Sequence, residues 1–221
     1  MKNVICLLFM LHATICLGQL PNGFVYADEL IPDIHLELRY YSNNNFVGRP
    51  IAGYRVNRLI ITRPTAMALK KVQKELLMKN MCLLVYDGYR PQRAVNEFIV
   101  WAKDLNDTIN KAVFYPDVNK RNLFKLGYIA SRSGHSRGST LDLTIVDGTT
   151  NEPIDMGSPY DFFGEISWIK YENLTEQQKQ NRQTLQSVML KHGFRPYPQE
   201  WWHFTLRNEP FPDTYFDFPI E

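Results

Sequence analysis

Two short stretches hold side chains that together can carry out metal-assisted hydrolysis. Ser133 to Asp142 contributes His135 and Asp142, and the run Glu200-Trp201-Trp202-His203 contributes a second imidazole and a second carboxylate. Two imidazoles and one carboxylate leave the fourth tetrahedral position of a zinc ion for water, the pattern of catalytic sites, whereas structural zinc draws more heavily on cysteine. Zinc lowers the pKa of a bound water to about 7. A free carboxylate, here Glu200, can take the proton as the water attacks an amide carbonyl.

The chain has five histidines, and His12 falls in an N-terminal segment expected to be removed, which leaves His35, His135, His192 and His203. His192 stands in the last turn of an expected helix, just before Gly193, where a helix end favours a cationic or hydrogen-bonding side chain. His35 sits in an alternating run and reads as structural. His135 instead occupies a Gly- and Ser-rich loop directly ahead of a strand that presents Asp142 on its polar face, so bending of the loop can bring the two together. A His and an Asp seven positions apart are weak evidence alone, and His203 supplies the support. Positions three apart on a regular strand face opposite ways, so Glu200 and His203 share a pocket only if the strand begins irregularly after Glu200. An oxyanion forming at the carbonyl calls for a fixed positive charge opposite it. Arg90, in the turn Tyr86-Asp87-Gly88-Tyr89-Arg90-Pro91, is the candidate.

The groups need a scaffold. With 44% hydrophobic and 22% charged residues over 221 positions, the chain has the composition of one globular domain able to bury a core. A formal charge of +2 without a block of like charges excludes an electrostatic footprint for nucleic acid or an anionic membrane, and small neutral or zwitterionic partners fit better. Lys2 followed by the apolar run Val4 to Leu17 and the small Gly18 reads as a signal peptide over residues 1–18, the run being short of the about 20 residues of a membrane span. The functional domain then covers residues 19–221 and is expected in the periplasm or outside the cell. Cys6 and Cys16 leave with the signal, so Cys82 remains as a buried small hydrophobe with no disulfide partner in its chain.

Pro64 opens a helical pattern to Asn80 with Leu69, Val72 and Leu76 on one face, and Met81 to Tyr86 follows as a buried strand. A second helix starts at Pro91 and continues through Ala94, Phe98 and Trp101, and a third runs from a capping box of Thr175 and Gln178 to Gly193. Strand signals cover Ile34 to Tyr41, Thr140 to Ile145 and Trp201 to Leu206, with Thr140, Asp142 and Thr144 sharing a polar face and Leu141, Leu143 and Ile145 packing inward. This irregular order favours an α+β fold with a mainly antiparallel sheet.

The blocks Leu36-Glu37-Leu38-Arg39-Tyr40, Asn45-Phe46-Val47-Gly48, Asp87-Gly88-Tyr89-Arg90-Pro91, Ser133 to Asp142, Asp155-Met156-Gly157 with Asp161, and Glu200-Trp201-Trp202-His203 make the chain resemble the zinc-dependent D-alanyl-D-alanine dipeptidases, the group that includes the vancomycin-resistance dipeptidases. The resemblance implies one zinc ion per chain held by His135, Asp142 and His203. It implies Glu200 as general base and later acid, Arg90 stabilising the transition state, and Ser133, Asp161 and Asp87 near a small dipeptide substrate. It also implies the compact α+β fold of zinc D,D-carboxypeptidases and of the hedgehog amino-terminal signalling domain, relatives whose differing roles mean that fold alone does not fix the reaction. A D,D- or L,D-carboxypeptidase trimming peptidoglycan stems and a non-catalytic zinc-stabilised binding module stay open at this point. The expected export departs from family members that act on the dipeptide in the cytoplasm.

Overall fold

A computed structural model describes residues 20–221 of the chain, and the expected signal peptide lies outside them. In chain order the elements are β1 (Phe24–Tyr26), α1 (Ala27–Leu30), β2 (His35–Leu36), β3 (Ile60–Thr62), α2 (Arg63–Leu77), β4 (Met81–Asp87), α3 (Gln92–Lys103), α4 (Lys111–Phe114), β5 (Thr140–Asp147), α5 (Glu176–Lys191), β6 (Phe194–Tyr197) and β7 (Glu200–Leu206). Five strands form one sheet in the order β2-β4-β5-β7-β6, and β1 pairs separately with β3. Within the larger sheet only β2 and β4 run parallel. The architecture is α+β with a mainly antiparallel sheet flanked by helices.

Local signals account for the long helices. Leu69, Val72 and Leu76 are spaced to share one side of α2 and are fully buried in the same apolar cluster as Leu83 and Val85 of β4 and Leu141, Leu143 and Ile145 of β5. The helix stops at Leu77, and Asn80 adopts a left-handed φ of 55° that turns the chain into β4. At the start of α5 the Thr175 hydroxyl accepts from Gln178 N at 3.2 Å while Thr175 N donates to Gln178 Oε1 at 3.0 Å, which completes the capping box. Gly193, at φ 92°, closes that helix.

Two strand expectations need correction. The alternating run from Ile34 is a strand only at His35–Leu36, and Arg39–Tyr41 is a 3-10 turn. The buried Asn45 pulls the chain round, because its amide donates to the carbonyls of Arg39, Ser42 and Arg49 at 3.3, 2.7 and 2.9 Å. Those three acceptors are unavailable to a strand ladder. The polar side of β5 is also not a solvated face. Thr140, Asp142 and Thr144 are as buried as their apolar neighbours, with Thr140 and Thr205 hydroxyls bonded at 2.9 Å and Tyr160 meeting Asp142. β5 is therefore covered on both sides, and its acid enters an interior where charge is expensive.

The segment Gly134–Arg137 is a 3-10 turn ended by Gly138 at φ 78°. Gly138 N donates to His135 O at 2.9 Å, and its own carbonyl accepts from Thr62 N at 2.8 Å. A Cβ there would run into the Phe24 ring, so only glycine can carry the chain from the histidine turn into β5.

Candidate active site

His135 projects from this turn, which Ser133 caps by accepting a hydrogen bond from His135 N at 3.3 Å. The ring Nδ1 lies 2.8 Å from Gly88 O. A carbonyl can only accept, so Nδ1 carries the proton and Nε2 presents its lone pair, the usual way an outer hydrogen bond orients a ligand imidazole. Asp142 and His203 are direct partners across the β5–β7 ladder, so the sheet register itself puts them side by side.

The three donors converge. His135 Nε2 is 3.4 Å from His203 Nδ1 and 3.3 Å from Asp142 Oδ2, and His203 Nδ1 is 3.0 Å from Asp142 Oδ1. Bonds of about 2.0–2.1 Å in a tetrahedron place neighbouring donors about 3.3 Å apart, so the spacing fits a zinc-sized ion. Asp142 Oδ1 is buried and makes no hydrogen bond despite its nearness to His203, an orphaned acceptor of the kind a cation satisfies. Burial acts to lower the His203 imidazole, yet the adjacent Asp142 and Glu200 carboxylates carry it up to about 9. Burial likewise opposes ionisation of Asp142, and the two imidazoles overcome it to hold its carboxyl well below the usual range. The pocket draws positive charge, and a divalent ion on these three residues fits that demand.

Glu200 reaches the same place through a break in the ladder. Phe204 pairs with Pro196, but Glu200 pairs with Tyr197, so Trp201 to His203 bulge out against β6. The irregular start required by the sequence is present, and Glu200 Oε2 lies 3.2 Å from His203 Nδ1. Glu200 remains a quarter exposed, open to water and substrate.

Arg90 follows β4 and is fixed by a fully buried neighbour. Its Nε donates to Asp87 Oδ2 at 2.9 Å, with Nη2 2.8 Å from the same oxygen and 3.5 Å from Asp142 Oδ2. The guanidinium lies over the Tyr40 and Phe98 rings, 4.9 and 5.3 Å from their centroids. The other oxygen of Asp87 accepts from the Tyr54 hydroxyl at 2.7 Å. Asp87 is therefore occupied behind Arg90 rather than set in the cleft wall, where the resemblance would put it near substrate. Burial pushes its carboxyl up, and Arg90 and His135 pull it back.

Ser133 and Asp161 do line the cleft, together with His135, Asp142, His203, Glu200 and Arg90. The cavity holds about 260 Å³ and has aromatic walls that include Tyr40, Phe98 and Phe163. Asp161 sits at a left-handed φ of 59° and accepts from the Tyr40 hydroxyl at 2.7 Å. Burial, then the Asp142 charge, pushes its carboxyl well above the ordinary range. Tyr40, Tyr160 and Arg132 also belong to the site or its surroundings, and no motif chemistry singles them out. Tyr40 closes a motif block and Tyr160 precedes Asp161, but neither is marked as facing a site until the loops fold. His192, by contrast, pairs with Glu75 at 2.9 Å, and Cys82 is a buried free thiol.

Three protein donors beside a free carboxylate and a clamped arginine have the make-up of a catalytic rather than a structural metal site. The chain belongs to the D-ala-D-ala dipeptidase family, Peptidase_M15, whose model matches residues 21–221. It is similar to the D-alanyl-D-alanine dipeptidase of Enterococcus faecalis, 41% identical over 199 residues that span 90% of this chain and 98% of that protein. The Streptomyces coelicolor D-alanyl-D-alanine dipeptidase is 43% identical over the same shares, and that of Escherichia coli 30% over 80% of this chain and 81% of its own. Among solved structures, a vancomycin resistance D,D-pentapeptidase overlaps with a TM-score of 0.43 and 14% identity, covering 70% of this chain and 77% of that one. Membership of a hydrolase family sets aside the non-catalytic binding module.

Removing the charge behind Arg90 tests the clamp. Asp87→Asn should lower the unfolding free energy by about 1–3 kcal/mol, since the arginine is left partly uncompensated. Dipeptidase kcat/KM should fall at least about tenfold, the effect of about 1.4 kcal/mol on the barrier. Thermal unfolding and steady-state kinetics read the two effects, and unchanged kcat/KM would remove Asp87 from the account.

Proposed function

We propose that this protein hydrolyses the D-alanyl-D-alanine dipeptide to two D-alanines, with one zinc ion per chain on His135, Asp142 and His203. The observation that carries the reading is the convergence of those donors, Glu200 and Arg90 on one cleft of about 260 Å³, below the about 300–1,000 Å³ usual for drug-sized ligands. The dipeptidase names of the full-length relatives support the substrate.

Zinc, when bound, supplies Lewis acidity that acidifies a water and polarises the scissile carbonyl. Glu200, beside His203 and partly open to the cleft, takes the proton of the attacking water and returns it to the leaving amine nitrogen. Arg90, held against Asp87, faces the charge that grows on the carbonyl oxygen and needs no reorganisation at that moment. Three acids line the cleft, and with Asp142 and Glu200 committed, Asp161 remains to accept a hydrogen bond from the substrate ammonium, whose positive charge would draw its raised carboxyl back towards ionisation. The second cleft-lining guanidinium, Arg132, and the Ser133 hydroxyl stand available for the carboxylate end. A dipeptide has a charge at each end, so a site with an acid and a base on its walls favours it over a longer stem with only one terminus in reach.

The Glu200→Ala variant should retain zinc by elemental analysis and lose turnover of D-Ala-D-Ala by about 10²–10⁴, the usual contribution of a general base. Wild-type protein should cleave the dipeptide and leave a pentapeptide stem intact; cleavage of the stem alone would replace the dipeptidase reading with the carboxypeptidase one. We also propose export, resting on Lys2 and the apolar run Val4 to Leu17. Fractionation should then find the protein outside the cytoplasm, and a wholly cytoplasmic pool would contradict export without touching the chemistry.

A further inference from the structure

Behind the metal-ligating carboxylate lies a short chain of hydroxyls that the reaction as described does not use. Tyr160 Oη is 3.2 Å from Asp142 Oδ2 and 3.3 Å from Tyr40 Oη, and Tyr40 in turn donates to Asp161 Oδ2 at 2.7 Å. The two phenols own two protons for three contacts. Tyr40 gives its proton to Asp161, the shortest contact. Tyr160 then has one proton and two acceptors at nearly equal range, and an ionised carboxylate is the stronger of them. Its proton therefore goes to Asp142 Oδ2.

That bond breaks the symmetry of the Asp142 carboxylate. Oδ2 takes the Tyr160 hydroxyl and also has Arg90 Nη2 at 3.5 Å and His135 Nε2 at 3.3 Å, whereas Oδ1 is buried without a hydrogen bond, 3.0 Å from His203 Nδ1. The Tyr160 ring is itself held, stacked on Tyr86 at 4.6 Å and set edge-on to Trp202 at 5.5 Å. A rigid ring thus delivers one hydroxyl to one oxygen.

We propose that Tyr160 is a positioning residue that engages Asp142 Oδ2 and leaves Oδ1 as the oxygen offered to the metal, so that the carboxylate binds through one oxygen and keeps a coordination position free. The inference rests on the proposed zinc reading, and it concerns an outer hydrogen bond of the kind whose loss typically lowers metal affinity by about 10–100-fold. Tyr40, its oxygen 3.3 Å from that of Tyr160, donates separately to Asp161 on the cleft wall.

The test is Tyr160→Phe, which keeps the stacked ring and removes only the hydroxyl. Zinc affinity, measured by competition with a chelator, should fall about 10–100-fold. Its Co(II)-loaded form should show weaker visible absorption than wild type, as a second carboxylate oxygen raises the coordination number. With zinc saturating, kcat should drop while KM for D-Ala-D-Ala stays within about twofold, a split that general loosening of the fold would not produce. Zinc affinity and cobalt spectrum both matching wild type would overturn the role of Tyr160. The control His203→Ala separates this failure from that of the metal reading itself. Loss of zinc in His203→Ala beside an unaffected Tyr160→Phe sinks only the Tyr160 inference, and zinc binding that survives His203→Ala sinks the metal site.

Discussion

Buried carboxylates stay ionised only where positive charge or hydrogen bonds compensate them, and this molecule gathers Asp87, Asp142 and Asp161 into one interior region. Each is settled by a different neighbour. Asp87 pairs with Arg90, Asp161 takes the Tyr40 hydroxyl but is still pushed towards its neutral form by burial, and Asp142 faces two imidazoles with one oxygen unpartnered. A divalent ion at the third position, as proposed, would complete the compensation. The remainder of the fold serves to hold these groups still.

The central antiparallel strands do most of that holding. Because Asp142 and His203 are cross-strand partners, their separation is set by the β5–β7 register rather than by flexible side chains. A one-residue slip would send one of them to the opposite face. The Leu141, Leu143 and Ile145 side of β5, fully buried in the same core as α2, penalises such a slip. His135 comes from outside the sheet and needs its own fixings, the Gly88 carbonyl at its ring and Gly138 at its exit.

What could be read in the sequence follows from the range of each interaction. Helices α2, α3 and α5 carry their apolar spacing, prolines and capping box within a few residues of one another, and their bounds fall close to expectation. The convergence of His135, Asp142 and His203, with Glu200 beside them, was legible because few histidines exist and the donor chemistry is restrictive. The break in β7 pairing was legible only as a demand, since it shows only against β6, whose consecutive residues Pro196 and Tyr197 pair with Phe204 and Glu200. The turn at Arg39–Tyr41 was missed because Asn45 makes it with a side chain. Asp87 looked like a substrate contact because Asp87 and Arg90 belong to one motif, and only folding shows both its oxygens taken up, one by Arg90 and the other by Tyr54.

The most direct measurement is anomalous diffraction at the zinc edge from crystals of the purified protein. The account predicts a single peak per chain, about 2.0–2.2 Å from His135 Nε2, His203 Nδ1 and an oxygen of Asp142, with Glu200 left off the metal. A peak bonded to other residues, or metal-free protein that cuts the dipeptide at full rate, would contradict it.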